Sequence, residues 1–176
     1  MTVHRRGAIL HLMRRTLLFA LALAACNGGL EPLADCAPVA QICGAITFAG
    51  TVPDSTEWVR VVAYRQRPTA PQGLFTFNGP SDALPYGNTT AEYRLALPPG
   101  TYEWVLAVWK KVGAFAPDGS NADSLLKEAG SYRNPADTSQ LGIVVVPATG
   151  VRGVDILVDF DNMRSVSDFF PARARP

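Results

Sequence analysis

Tyr93-Arg94-Leu95-Ala96-Leu97-Pro98-Pro99-Gly100-Thr101-Tyr102-Glu103-Trp104-Val105-Leu106-Ala107-Val108-Trp109 is the stretch whose reading decides the fold. It predicts two strands joined by a tight turn. Pro99-Gly100 fits the two central positions of a type II turn, where proline presets φ at the first and glycine accepts a positive φ at the second.

The same period-2 pattern extends outward on both sides, broken by Pro, Gly, Asn and Asp. Residues 44–50 place Ile46 and Phe48 on one face, and Pro53-Asp54-Ser55 turns the chain. In residues 57–65, Val59, Val61 and Ala63 share an uncharged face, the expected core face, while Trp58, Arg60, Val62 and Tyr64 lie opposite. Turn formers then dominate residues 66–92, around one candidate strand at 74–77. Residues 120–130 carry a serine able to cap a helix, paired Leu125-Leu126 and a terminal glycine, which predicts one short helix. Residues 142–147 and 151–160 read as a final hairpin. Its second strand turns Val154, Ile156, Val158 and Phe160 inward and Asp155, Leu157, Asp159 and Asp161 outward. The expected fold is an all-β Greek-key β-sandwich of about seven strands, with one short helix in an insertion.

The amino terminus has to be set aside first. Arg14-Arg15 followed by the apolar residues 16–25 has the charged and apolar regions of an export signal. The run is too short for a bilayer span, which takes about 20 residues. It ends in Leu23-Ala24-Ala25-Cys26, which resembles the bacterial lipobox, where cleavage before the cysteine accompanies diacylglycerol attachment to its thiol. That resemblance implies attachment to a membrane through Cys26. An ordinary signal peptide beside an unrelated cysteine is the competing reading. Asn27 after the cysteine, rather than aspartate, favours the outer membrane in proteins of this kind. Met13 is an alternative start, and the paired arginines also suit twin-Arg export. The expected organisation is a leader at 1–25, a lipid tether at 26–42, a β-sandwich domain at 43–161 and a flexible tail at 162–176.

Export to an oxidising compartment predicts a bridge between Cys36 and Cys43, the two cysteines left besides Cys26. The alternative is two free thiols. An extended chain would hold them roughly 23 Å apart at ~3.3 Å per residue, so the segment must fold back, with Pro38 available to help.

Charge and histidine content narrow the function. The whole chain carries 16 Lys+Arg and 15 Asp+Glu, but four arginines and no acid lie before Cys26. The remaining 151 residues therefore balance 12 cations against 15 acids, a net of −3 that disfavours nucleic acid as a partner. His4 and His11, the two histidines of the chain, both lie within the leader. A chain processed at Cys26 would have no His-dependent nucleophilic site, His-ligated zinc or His general base. No cofactor is expected, and the chain reads as a non-enzyme.

Tyr93-x-Leu95-x-Leu97-Pro98-Pro99-Gly100-Thr101-Tyr102 resembles the carboxypeptidase regulatory-like, or transthyretin-like, β-sandwich domains. The opening Gly44-x-Ile46-x-Phe48 and the closing Val154-Asp155-Ile156-Leu157-Val158 agree with that pattern, which spans about residues 44–160. The resemblance implies a transthyretin-like or Ig-like sandwich and carries over no catalytic residues. Residues 66–92 and 110–140 depart from the family pattern as long insertions, where distinctive function is expected.

Three aromatics are candidate ligand-binding residues: Trp58, Tyr64 and Trp109. Trp58, Val62 and Tyr64 share one outer face, and Val105 and Trp109 are read as sharing another. Aligned across strands they would form one apolar patch, either stacking on a glycan or a partner protein or covered by Leu125 and Leu126. Asp155, Asp159 and Asp161, with Asn162, could converge on calcium or simply face solvent. Asn88-Thr89-Thr90 matches a glycosylation pattern that is coincidental beside a lipobox. The expected role is a lipid-anchored cell-envelope protein acting as a structural or protein-interaction module, with surface glycan binding as the alternative.

Overall fold

The computed structural model describes Cys36, residues 39–113 and residues 116–170. The expected leader and lipobox, Cys26 included, lie outside the described residues. The described strands are β1 (Gln41–Ala49), β2 (Thr56–Tyr64), β3 (Thr90–Ala96), β4 (Gly100–Tyr102), β5 (Trp104–Lys111), β6 (Leu126–Ser131), β7 (Arg133–Asn134), β8 (Asp137–Leu141), β9 (Val144–Val146), β10 (Ile156–Asp159) and β11 (Arg164–Ser165). Two single-turn helices, α1 (Ala122–Leu125) and α2 (Val166–Phe169), complete the set with a 3-10 turn at Pro71–Phe75.

The fold is an all-β sandwich. One sheet has the order β10-β1-β3, the other β11-β6-β5-β2, and two small ladders, β4-β9 and β7-β8, flank them. The core lies between the inner faces: Ile42, Ile46, Leu95, Ile156 and Val158 from the first sheet are packed in one cluster with Val59, Val61, Ala107 and Trp109 from the second. Each valine, leucine or isoleucine among them contributes about 1.5–3 kcal/mol on removal from water. Val59, Val61 and Ala63 are all fully buried, as the alternation of β2 predicts, and so are Val154, Ile156, Val158 and Phe160 in the closing segment.

Several expectations give way to the structure. First, the deciding stretch does not form a hairpin within one sheet. β3 pairs with β1, β5 pairs with β2 and β6, and the short β4 pairs with β9. Pro98 and Pro99 cannot donate to a ladder, so the chain leaves the first sheet there and crosses to the second. Gly100 does take positive φ, at 148°. Tyr102 is fully buried, and its hydroxyl donates to the Pro98 carbonyl at 2.8 Å. A tyrosine tied to backbone a few residues upstream is a recurrent corner device in sandwiches.

Second, residues 142–160 are not a hairpin. β9 joins β4, whereas β10 runs parallel to β1 with Ile46 opposite Ile156 and Phe48 opposite Val158. Gly150 and Gly153, at φ 79° and 73°, turn the chain between them. Third, the expected helix over 120–130 is confined to four residues, and the remainder is β6. Asp118, not Ser120, organises the turn before it, its carboxylate accepting the Ser120 hydroxyl at 2.6 Å and amide at 2.8 Å. β5 is buried on both faces, so its backbone polar groups need a ladder on each edge, and β6 supplies the second.

Fourth, the chain beyond Asn162 is not all tail. Arg164 and Ser165 pair with Glu128 and Lys127, and α2 follows with a capping box between Ser165 and Asp168. Phe169 then packs on Trp104 with ring centroids 5.3 Å apart. Asp123 holds this segment through the Ser167 amide, 2.8 Å from its carboxylate. That N–H lowers the Asp123 pKa below the ordinary carboxylate value. A depressed folded-state pKa stabilises above the unfolded value, about 3.9, and the effect fades as pH falls through the folded one. The Ser167 amide resonance is therefore expected to titrate with a midpoint below the ordinary aspartate range, and to stay flat there in an Asp123→Asn variant.

The insertion at 66–92 has a structural task. Asn78 exchanges backbone hydrogen bonds with Ala63, and the amides of Ser81 and Leu84 donate to the carbonyls of Val61 and Val59. These bonds cover the outer edge of β2, which would otherwise be an open template for another strand. The candidate strand at 74–77 is instead the end of the 3-10 turn and the residues after it.

Cys36 and Cys43 form a disulfide, with their Cα atoms 6.1 Å apart, and Cys43 lies within β1. The sandwich therefore starts at Gln41, two residues before the expected boundary. Replacing both cysteines with alanine is expected to cost about 2.5 kcal/mol in the chain-entropy account. Urea denaturation should show it, and a reductant should shift the parent chain toward the double variant.

Candidate functional site

The site lies on the outer face of the four-stranded sheet, away from the core between the sheets. Register sets its rows. Trp58, Arg60, Val62 and Tyr64 of β2 stand opposite Lys110, Val108, Leu106 and Trp104 of β5. Across the next edge, Val108 is paired with Glu128 and Lys110 with Leu126 of β6. Val62, Tyr64, Trp104 and Leu106 form a second buried cluster, with Leu74, Phe77, Leu141 and Phe169 packed against it.

This places the expected ligand residues differently. Trp109 belongs to the inner core, 4% exposed, because it stands opposite Val59 on the core face of β2. Its indole N–H donates to the Thr56 hydroxyl at 2.8 Å. Val105 is likewise internal. Tyr64 does face outward but is 4% exposed, stacked on Trp104 at 5.3 Å. Its hydroxyl donates to the Leu74 carbonyl at 2.7 Å, and burial pushes its pKa up. Trp58 is half-buried beneath Arg60, whose guanidinium carbon lies 5.5 Å from the ring centroid. Of the three aromatics, the structure brings Trp58 and Tyr64 to one site and Trp109 to another place. Cys26 lies outside the described residues, and Cys36 and Cys43 serve the disulfide.

The outer face is therefore partly covered and partly open. Leu74, Phe77 and Phe169 cover it together with Leu126 from the start of β6, and Leu125 is not among the lining residues. What stays open is a pocket of about 190 Å³, floored by Val62, Leu106 and Val108 and walled by Leu74, Phe77, Leu126 and Phe169. The insertions at 66–92 and 110–140 each supply part of this wall, and α2 closes one side.

Polar groups in the pocket are few. Trp104 donates its indole N–H to Ser131 Oγ at 2.9 Å, and that hydroxyl donates to Glu128 Oε1 at 2.5 Å. Glu128 is the one carboxylate lining the pocket, so an acid pair of the kind glycoside hydrolysis needs is not assembled there. Arg60 Nη1 donates to the Ser81 carbonyl at 3.3 Å, while Arg60 Nε is buried without a hydrogen-bond partner. Nearby, buried Lys110 is neutralised by Glu57.

The outward aspartates act as backbone acceptors. Asp155 takes the Ala45 amide at 2.8 Å, Asp161 the Thr51 amide at 3.0 Å, and Asp159 the Asp161 amide at 3.1 Å. Among the described residues, no three His, Cys, Asp or Glu side chains cluster as a metal site.

Fold and site together define an all-β sandwich with an aromatic-walled pocket on its outer sheet face. No protein-family model, curated protein or solved structure matches the chain.

Proposed function

We propose that this chain is a non-catalytic, lipid-anchored cell-envelope protein, held by acyl chains on Cys26, whose sandwich acts by binding. The observation that carries the reading is the Cys36–Cys43 disulfide, ten residues beyond the lipobox. A disulfide at the entry to β1 suits an exported protein, and it would fasten the tether directly to the first strand. Acyl burial contributes about 0.8 kcal/mol per CH₂, so several chains on one cysteine make attachment effectively permanent. The transthyretin-like resemblance belongs to the same proposal, supported by the tyrosine corner at Tyr102.

Binding rather than catalysis is supported by the absence of histidine beyond His11 and by the single carboxylate in the pocket. A glycan platform on Trp58, Tyr64 and Trp109 is not retained. Sugars need many hydrogen-bonding groups beside an exposed ring, and of the three only Trp58 keeps accessible ring surface. The test is intact mass spectrometry of protein extracted from membranes. Diacylglyceryl-modified Cys26 at the processed amino terminus is the expected product; an unmodified thiol or a retained leader would overturn the anchor.

A further inference from the structure

Four arginines among the described residues lie on aromatic rings: Arg65 lies over Tyr102, and the other three lie over rings that line the outer-sheet pocket. Arg60 lies over Trp58, Arg67 over both Trp104 and Phe169 at 5.5 Å from each, and Arg164 over Phe169 at 4.2 Å. Lys127 also lines the pocket, and Glu128 is the acid that opposes them. The chain beyond the leader is net negative, so this local excess of cations around an apolar hollow runs against the average of the surface. An apolar interior ringed by positive charge is complementary to an anion with a hydrophobic body.

Size and an unsatisfied donor narrow the ligand further. A dry cavity of about 150 Å³ holds a benzene ring, so a 190 Å³ pocket open at one side takes a short acyl chain or a single ring rather than a full lipid. Arg60 is the guanidinium that lines it, fixed by one bond to Ser81, with its Nε buried and unpaired. A buried donor without a partner is uncommon and costs stability until it finds one. A small swing of the side chain toward a carboxylate would satisfy it.

We propose that the outer-sheet pocket binds a free medium-chain monocarboxylate, its apolar body between Val108 and the Leu74-Phe77-Phe169 wall and its carboxylate on Arg60. This names the ligand class of the binding role proposed above and does not depend on the anchor. The full-length chain carrying Cys26→Ser, which has no thiol to lipidate, is the protein to use.

The probe is 8-bromooctanoate, whose terminal bromine quenches the Trp58 and Trp104 that line the pocket. Saturable quenching is expected, weaker for the neutral 8-bromooctanol, and absent for both in a Val108→Phe variant that fills the floor. Arg60→Gln should weaken the acid about tenfold, the scale of a lost charge-assisted hydrogen bond, and leave the alcohol unchanged. Near-ultraviolet circular dichroism separates loss of folding from loss of binding in either variant. Arg60→Met is the second variant should Arg60→Gln not fold. No saturable quenching by the acid, equal loss for acid and alcohol in the folded arginine variants, or quenching only by vesicles of brominated anionic phospholipid would each overturn the proposal. None of these outcomes alters the mass of the processed amino terminus, so failure here is distinguishable from failure of the anchor.

Discussion

Trp109→Ala is expected to destabilise the sandwich by about 4 kcal/mol. That is a large share of the 5–15 kcal/mol by which a domain of this size is held folded. The cause is position. Trp109 is 4% exposed in the core between the sheets, opposite Val59, with its indole N–H on Thr56. Truncation leaves a cavity that the surrounding strands cannot collapse to fill, and the Thr56 hydroxyl loses its indole donor while still donating to the Pro53 carbonyl. Trp109→Phe keeps most of the volume and should cost about 1–2 kcal/mol, mainly the lost hydrogen bond and the smaller ring. Trp58→Ala, on the half-buried outer face, is expected to cost less than Trp109→Ala. Urea unfolding midpoints for the three variants check the order, and a Trp109→Ala midpoint equal to that of the parent would place this residue on a surface instead.

The second large effect comes from adding a single methyl group. Gly130 lies on β6 where it passes the edge of the other sheet, and a Cβ built there falls 2.0 Å from the Leu157 carbonyl oxygen and 2.9 Å from its carbon. Both obstacles are backbone atoms of β10, so no side chain can rotate away. β6 and β10 would have to separate, opening the seam between the sheets. Gly130→Ala is expected to destabilise by about 3 kcal/mol, at the upper end for overpacking. Gly87→Ala is the matched control, since nothing lies within 4 Å of its added carbon. There the change should be neutral or stabilising by about 0.5 kcal/mol through the unfolded chain. Equal midpoints for Gly130→Ala and Gly87→Ala would mean that the two sheets do not meet at this glycine.

Much of the sandwich was legible because alternation is a local property. In β2 the uncharged set Val59, Val61, Ala63 could face only the core, and in the closing strand the aspartates could face only away from it. β5 offered no such contrast. Trp104, Val105, Leu106, Ala107, Val108 and Trp109 are apolar on both faces, so the sequence predicts that both are covered without saying which face meets which partner. From sequence alone that ambiguity puts Trp109 on the outer face and leaves Trp104 unassigned. The same run held the missed signal, because a strand apolar on both sides is buried on both sides. The pocket was harder to foresee. Its walls come from residues 74–77, from β6 and from α2, segments far apart in the chain that individually read as loop, helix and tail.

Taken alone, the residues of this chain determine a β-rich domain, the facing of its one-sided strands and the lack of histidine beyond His11. Each of these depends on a residue and its near neighbours. Tertiary structure alone decided which strands pair: that Pro98-Pro99 carries the chain between sheets, that β10 lies parallel to β1, that residues 126–131 complete a sheet instead of a helix, and that residues 164–169 close a pocket. Pairing is settled by burial and backbone hydrogen bonding summed over strands distant in sequence, and no short window of residues contains that sum.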